Sequence, residues 1–239
     1  MVCADQVGVL LEREPEAVLL LPAGRTPVPL FQELVRRQVR REINLSQAHL
    51  FQLDELVGVA PDDPRSFQCF LRDNLIEPAR LPETRLNLLD GCAPDLVSEI
   101  EGHAANLRAL GGGHLAILGV GRSGHVAFNE PGSTRKSIAR LVELTEATRT
   151  GMRGSFSEPE LPTTGITLGI AELYACELVS LIATGSAKAA VLNQLLRGPA
   201  SSDLPASLFR DHPDFIVASD TEARSAAGTS NDSEVLHPE

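Results

Sequence analysis

Short, unbroken apolar runs punctuate this chain, and each is closed by glycine, proline or polar turn residues. Ala17-Val-Leu-Leu-Leu21, His114-Leu-Ala-Ile-Leu-Gly-Val120, Leu178-Val-Ser-Leu-Ile-Ala183 and Phe215-Ile-Val-Ala218 are the clearest. None alternates apolar with polar, so none reads as a strand with one wet face. A run of this length that is apolar throughout fits a strand covered on both faces. Between the runs, apolar residues recur at helical steps: Leu30, Phe31, Leu34, Val35 and Val39 are one such set. Strands alternating with helices predict an α/β protein, with a largely parallel sheet between helical layers.

The remaining elements follow the same reading. His49–Leu53 and Leu86–Leu89 read as strands, and a strand is expected near Ala139–Leu144. Helices are expected over Ser66–Leu75 with Ser66 as N-cap, over Pro94–Leu110 up to the Gly111–Gly113 stop, and over Ser186–Arg197 with Ser186 near the cap. Residues 1–219 contain no repeat or linker and read as one domain. From Asp220 to Glu239 the composition turns to Ser, Thr, Gly, Ala and acid, which predicts a frayed polar tail.

Charge narrows the partners. The chain carries 32 acidic and 21 basic residues, a net charge of −11. That balance argues against a general nucleic-acid binder, which presents a basic face to phosphate. A small anionic ligand remains compatible, because a pocket answers to its local charge. Cys3, Cys69, Cys92 and Cys176 are scattered without a C-x-x-C pair, so neither a disulfide framework nor a zinc site is expected. No leader-like start and no membrane-length apolar run is present. The expectation is a soluble cytoplasmic protein without a membrane partner.

In open parallel sheets, ligands bind beyond the carboxyl ends of the strands. Three post-strand loops carry chemistry. Gly24, Arg25 and Thr26 lie in a glycine turn entering a helix, where backbone N–H groups and a cation can hold an anion. Asp54, with Glu55, ends a strand and can serve as a general base. Gly119-Val-Gly-Arg-Ser-Gly124 spells the dinucleotide fingerprint G-x-G-x-x-G, with Glu143 downstream. Pro131 and Gly132 leave no room for the helix that fingerprint must open, so a dinucleotide is not expected. What remains is a glycine loop presenting His125 and Glu130. A histidine titrates near neutrality, and a nearby carboxylate tunes it. No metal spacing is present among the histidines.

Taken together, Asp54-Glu-Leu-Val-Gly58, Pro64-Arg-Ser-Phe67, Leu118 to Gly132 (Leu-Gly-Val-Gly-Arg-Ser-Gly-His-Val-Ala-Phe-Asn-Glu-Pro-Gly), Leu141 to Arg149, Gly165-Ile-Thr-Leu-Gly169 and Ala183-Thr-Gly-Ser-Ala-Lys188 resemble the glucosamine-6-phosphate deaminase/isomerase family. The resemblance runs collinearly over about residues 16–219 and implies that family's single-domain, three-layer sandwich with a Rossmann-like sheet. It implies the conversion of glucosamine 6-phosphate to fructose 6-phosphate and ammonia, with no redox cofactor or metal. In that reading Asp54 moves the proton between C2 and C1, and His125 opens the sugar ring with Glu130 tuning it. Ser123 stands beside the histidine where the family usually has Asp or Asn. Gly24, Arg25, Thr26 and Lys188 hold phosphate, joined by Arg153 from the lid, which stands one residue from the family's arginine, with Gly154 at the aligned position. Val142 replaces the lysine of allosterically regulated members, so no such activation is expected. The usual first strand has no counterpart before Asp5, which predicts a truncated start or a lost sheet edge. The resemblance allows a homo-oligomer. Three alternatives stay open: galactosamine 6-phosphate deamination, 6-phosphogluconolactone hydrolysis (against which Asn129-Glu130-Pro131 leans), and a catalytically weakened sugar-phosphate sensor.

Overall fold

The computed structural model describes residues 2–153 and 162–224, with Arg153 described by its backbone alone. Six strands form one parallel sheet: β1 (Val18–Leu21), β2 (His49–Gln52), β4 (Leu86–Asn87), β5 (Leu115–Gly119), β8 (Leu178–Ala183) and β9 (Phe215–Ser219). Their order is β4-β2-β1-β5-β8-β9, and every pairing is parallel. The strands β3 (Asp54–Leu56), β6 (Arg140–Glu143) and β7 (Thr164–Thr167) form a separate antiparallel sheet of order β3-β7-β6. The segment expected near Ala139–Leu144 is therefore a strand, but outside the main sheet. Its side chains alternate between half-buried and exposed, the pattern of a sheet with one wet face.

Helices cover both faces of the main sheet. Leu19, Leu21, Leu50, Leu115 and Ile117 face one layer, containing α1 (Val2–Arg13) and α2 (Val28–Val39). That layer also holds α3 (Phe67–Leu71), which passes through a π-helical turn, Arg72–Ile76, into α4 (Glu77–Ala79). Val18, Leu20, Phe51, Ala116, Leu118, Val179, Leu181 and Val217 face the other. Packed there are α5 (Leu96–Ala109), α7 (Ile170–Tyr174) and α8 (Ala189–Arg197). Burial on both sides is the physical reason that the strands read as unbroken apolar runs.

Three boundaries differ from the sequence expectation. The chain start is no lost strand: α1 buries Cys3, Ala4, Val7 and Leu11 at helical spacing, and β4 and β9 are the sheet edges. Ser186 caps no helix. Ser186–Lys188 is a 3₁₀ turn entered from Gly185 at φ 83°, and α8 follows it. The fold also continues past 219. Thr221–Arg224 is a short helix, α9, and the Asp220 carboxylate accepts from Gly185 N (2.9 and 3.1 Å) and Ala223 N (2.8 Å). Residues 225–239 of the expected tail lie outside the described residues. Among the described residues no helix is long and apolar enough to cross a membrane.

Between β1 and β5 the chain reverses its direction of travel across the sheet. After β1 it moves outward to β2 and β4; after β5 it moves the opposite way to β8 and β9. The carboxyl ends of β1 and β5 thus flank a crevice at the topological switch point, where open α/β sheets bind ligands. Two of the three loops singled out from sequence leave these ends, and the third, at Asp54, follows the neighbouring β2.

Candidate active site

Strand β1 leads through Gly24, at φ 104°, into α2. No side chain caps that helix, and Pro27 and Pro29 occupy its entry. A proline in the first turn sacrifices no needed N–H, Val28 N donates to Arg25 O at 3.3 Å and Phe31 N to Pro27 O at 2.9 Å, and the positive end of the helix dipole faces this turn. Arg25 is exposed.

Asp54 starts β3 and is 6% exposed. Burial, then the adjacent Glu55 charge, raises its pKa well above the ordinary carboxylate value. The neighbour plays a different part. Glu55 is buried, and its carboxylate accepts from Leu56 N (2.8 Å), Phe67 N (3.0 Å), Gln68 N (2.8 Å), Ser66 Oγ (2.8 Å) and Gln52 Nε2 (3.0 Å). It sits at the N-terminus of α3, where helix N–H groups favour an anion. Gln52 Nε2 also donates to Asp54 O at 2.8 Å. Glu55 and Gln52 therefore hold the Asp54 backbone from beneath.

The loop after β5 contains no helix from Val120 to Ala139, so the G-x-G-x-x-G string does not open one. Its glycines make room. A Cβ on Gly121 would lie 2.1–2.4 Å from the His125 ring, and Gly124 combines φ 79° with a Leu204 methyl 2.2 Å from where its Cβ would sit. The imidazole thus rests on bare backbone. Burial lowers its pKa below 6.5, Glu130 opposes that shift, and Lys188 adds to it. Ser123 Oγ is 2.9 Å from His125 Nδ1, Thr148 Oγ1 3.0 Å, and Glu130 Oε2 3.7 Å. Nε2 has no hydrogen-bond partner among the described residues. Thr148 belongs to α6 (Glu146–Arg153).

The turn from Val126 to Glu130 is tied down by Asn129, which is fully buried. Asn129 Nδ2 donates to Val126 O (3.1 Å) and Leu168 O (2.9 Å), and its Oδ1 accepts from Arg140 Nη1 (2.9 Å). Phe128 N donates to Thr167 Oγ1 at 3.3 Å, and Thr167 is the register partner of Asp54. The histidine turn and Asp54 are thereby stitched to one residue of β7.

Lys188 Nζ donates to Val120 O at 2.7 Å. The bond brings the ammonium from the β8 end against the β5 loop. Burial, then the nearby Arg122 guanidinium, lowers its pKa. Ser123, His125, Glu130 and Lys188 are thus gathered at one loop. The Arg153 side chain and Gly154 lie outside the described residues. Sequence reading missed Thr145, Thr148 and Gln52. Only the spacing of Thr145 and Thr148 on a helix turn could have flagged the first two, and nothing local marks Gln52. No group of His, Cys, Asp or Glu suited to a metal occurs among the described residues.

A parallel sheet that carries a buried carboxyl, an imidazole and a lysine on the loops after β2, β5 and β8 defines an α/β protein of the kind that binds ligands at its strand ends. The family model for Glucosamine-6-phosphate isomerases/6-phosphogluconolactonase matches residues 2–217, and the chain belongs to that family. It is 35% identical to a glucosamine-6-phosphate deaminase of Hahella chejuensis, over 93% of this chain and 85% of that one. It is 35% identical to the glucosamine-6-phosphate deaminase of Bacillus pumilus, over 93% and 92%. A solved structure of a monomeric glucosamine-6-phosphate deaminase superposes with a TM-score of 0.91 at 31% identity, covering 94% of each chain. The 6-phosphogluconolactonase of Thermotoga maritima shares the fold, with a TM-score of 0.73 at 22% identity over 91% and 93%.

Proposed function

We propose that this chain is a glucosamine-6-phosphate deaminase, isomerising glucosamine 6-phosphate and releasing ammonia and fructose 6-phosphate. The observation that carries the reading is the stitching of Asp54 and the His125 turn to Thr167. It joins a carboxyl with a raised pKa to an imidazole whose Nε2 is free. His125 Nε2 carries the O1 proton to the ring oxygen as the C1–O5 bond breaks. Asp54 takes the proton from C2 of the open chain and returns it to C1. The aldose amine becomes a ketose imine, water adds at C2, and ammonia leaves. As the imine forms, one amine proton passes to O1, so that every step is a proton transfer, a C–O or C–N cleavage, or an addition to C=N, with no net oxidation or reduction.

The turn Gly24, Arg25 and Thr26 before α2, with Lys188, holds the phosphate. Arg153 extends this set from the lid. Such a cluster reverses, locally, the repulsion that a chain of charge −11 exerts on an anionic substrate. The four cysteines are free, which fits action in the reducing cytoplasm.

The deciding experiment supplies purified protein with glucosamine 6-phosphate, galactosamine 6-phosphate and 6-phosphogluconolactone in parallel. Ammonia and fructose 6-phosphate from the first substrate support the reading. Turnover of the lactone alone, or tight binding of the amino sugar without turnover, overturns it.

A further inference from the structure

Glu130 and His125 are too far apart for a direct hydrogen bond, yet a chain of hydroxyls connects them. Glu130 Oε2 stands 3.7 Å from His125 Nδ1, and that oxygen is buried without a partner. The other oxygen, Oε1, is 3.3 Å from Thr145 Oγ1. Thr145 Oγ1 is 3.2 Å from Thr148 Oγ1, which is 3.0 Å from His125 Nδ1. Thr145 N also donates to Glu130 Oε1, and Thr148 N to Thr145 Oγ1. The backbone of the α6 entrance therefore holds the Glu130 carboxylate and the Thr145 hydroxyl.

The charge on Glu130 favours one direction for the chain. An ionised carboxylate only accepts, and each hydroxyl has one proton to give. Thr145 has two acceptors in reach, and the charged one makes the stronger bond. Its proton goes to Glu130. With the Thr145 proton on Glu130, the Thr145 oxygen is open to the Thr148 proton, and the Thr148 oxygen is open to a ring N–H. We propose that Thr145 and Thr148 are positioning residues that relay Glu130 to His125, fixing the neutral imidazole as the Nδ1–H tautomer with Nε2 as the basic nitrogen. Ser123 Oγ is a second acceptor for that N–H. The charged groups facing the ring are Glu130 and Lys188, and the relay alters neither.

The functional meaning rests on the deaminase reading, since that chemistry needs a basic Nε2. The test does not. Nitrogen-15 NMR of the ligand-free protein, above the pH at which His125 titrates, reads which ring nitrogen holds the proton. The expected result is Nδ1–H in the native chain. Thr145→Val should shift the proton to Nε2, because the Thr148 hydroxyl, stripped of its acceptor, then donates to Nδ1. Thr145→Ser and Thr148→Ser should keep it in place. Combining the two valine changes should lower kcat no further than one alone, because the residues act as a unit. A proton on Nε2 in the native chain overturns the proposal even if no variant folds. So does a folded Thr145→Val variant that keeps the native tautomer. Failure of the deaminase reading would appear separately, as absent ammonia release.

Discussion

At the scale of single residues, the proposed mechanism divides the work between Asp54 for chemistry and Lys188 for binding. Asp54→Asn keeps the shape of the site and removes the base. It should lower kcat by about a hundredfold or more, general base catalysis being worth that much, with little change in KM, measured as ammonia release. Asp54 works only when ionised, so activity is lost as pH falls through its pKa. Because that pKa is raised, the acid limb of kcat/KM should lie above the pH expected of an ordinary carboxylate. Glu55 contributes part of the rise, so Glu55→Gln should move the limb to lower pH in a folded variant. Lys188→Ala removes a charge-assisted contact, which is worth about ten- to hundredfold in affinity. It should appear in KM far more than in kcat. If instead kcat collapses and KM holds, the phosphate lies elsewhere.

Among the secondary-structure elements, α1 shows what the sequence concealed and why. Cys3, Ala4, Val7 and Leu11 carry the helical period plainly, yet a chain start read only for a leader or a missing strand assigns no element there. The segment's partners, in α2 and across the sheet, are invisible locally: Ser180 Oγ donates to Gln6 Oε1 at 2.8 Å. Leu11→Ala should reduce stability by about 2–4 kcal/mol, read from the midpoint of urea unfolding. Strands β1, β5 and β8 were legible because both faces are buried and no register had to be guessed. Strand β6 was legible as an extended segment only. Its antiparallel pairing to β7 joins Leu141 to Ile166 and Val142 to Gly165, partners that lie far apart in sequence. The catalytic candidates were legible because function requires them at strand ends. Glu55 looked like their equal, and its structural duty emerged only when donors from residues 52, 66, 67 and 68 converged on it.

For the whole molecule, acid stability follows from a histidine remote from the chemistry. His103 on α5 is buried, its Nε2 lies 2.9 Å from Gln52 O, and burial lowers its pKa to about 4. The unfolded chain protonates this ring near its ordinary value of 6.5 while the native state leaves it neutral. Stability from this group is complete above pH 6.5 and is lost as pH falls toward 4, by up to about 3 kcal/mol. Asp54 acts in the opposite sense, because its raised pKa makes the native state bind the proton more readily. The clean measurement is therefore a difference. Urea unfolding of the native protein and of His103→Gln, between pH 7 and pH 4.5, should show a shallower acid loss in the variant. Parallel slopes would remove His103 from the account.

The three glycines of the G-x-G-x-x-G string, Gly119 at the end of β5 and Gly121 and Gly124 in the loop after it, offer a last consequence, in the currency of mutational tolerance. Nothing lies within 4 Å of a Cβ added at Gly119, whereas the His125 ring occupies that space at Gly121, and Gly124 pairs a left-handed backbone with Leu204. A saturation library selected for activity should accept small side chains at Gly119 and return almost only glycine at Gly121. The string that reads like a nucleotide fingerprint would then show an uneven logo, with its strictest position set by an imidazole rather than by a pyrophosphate.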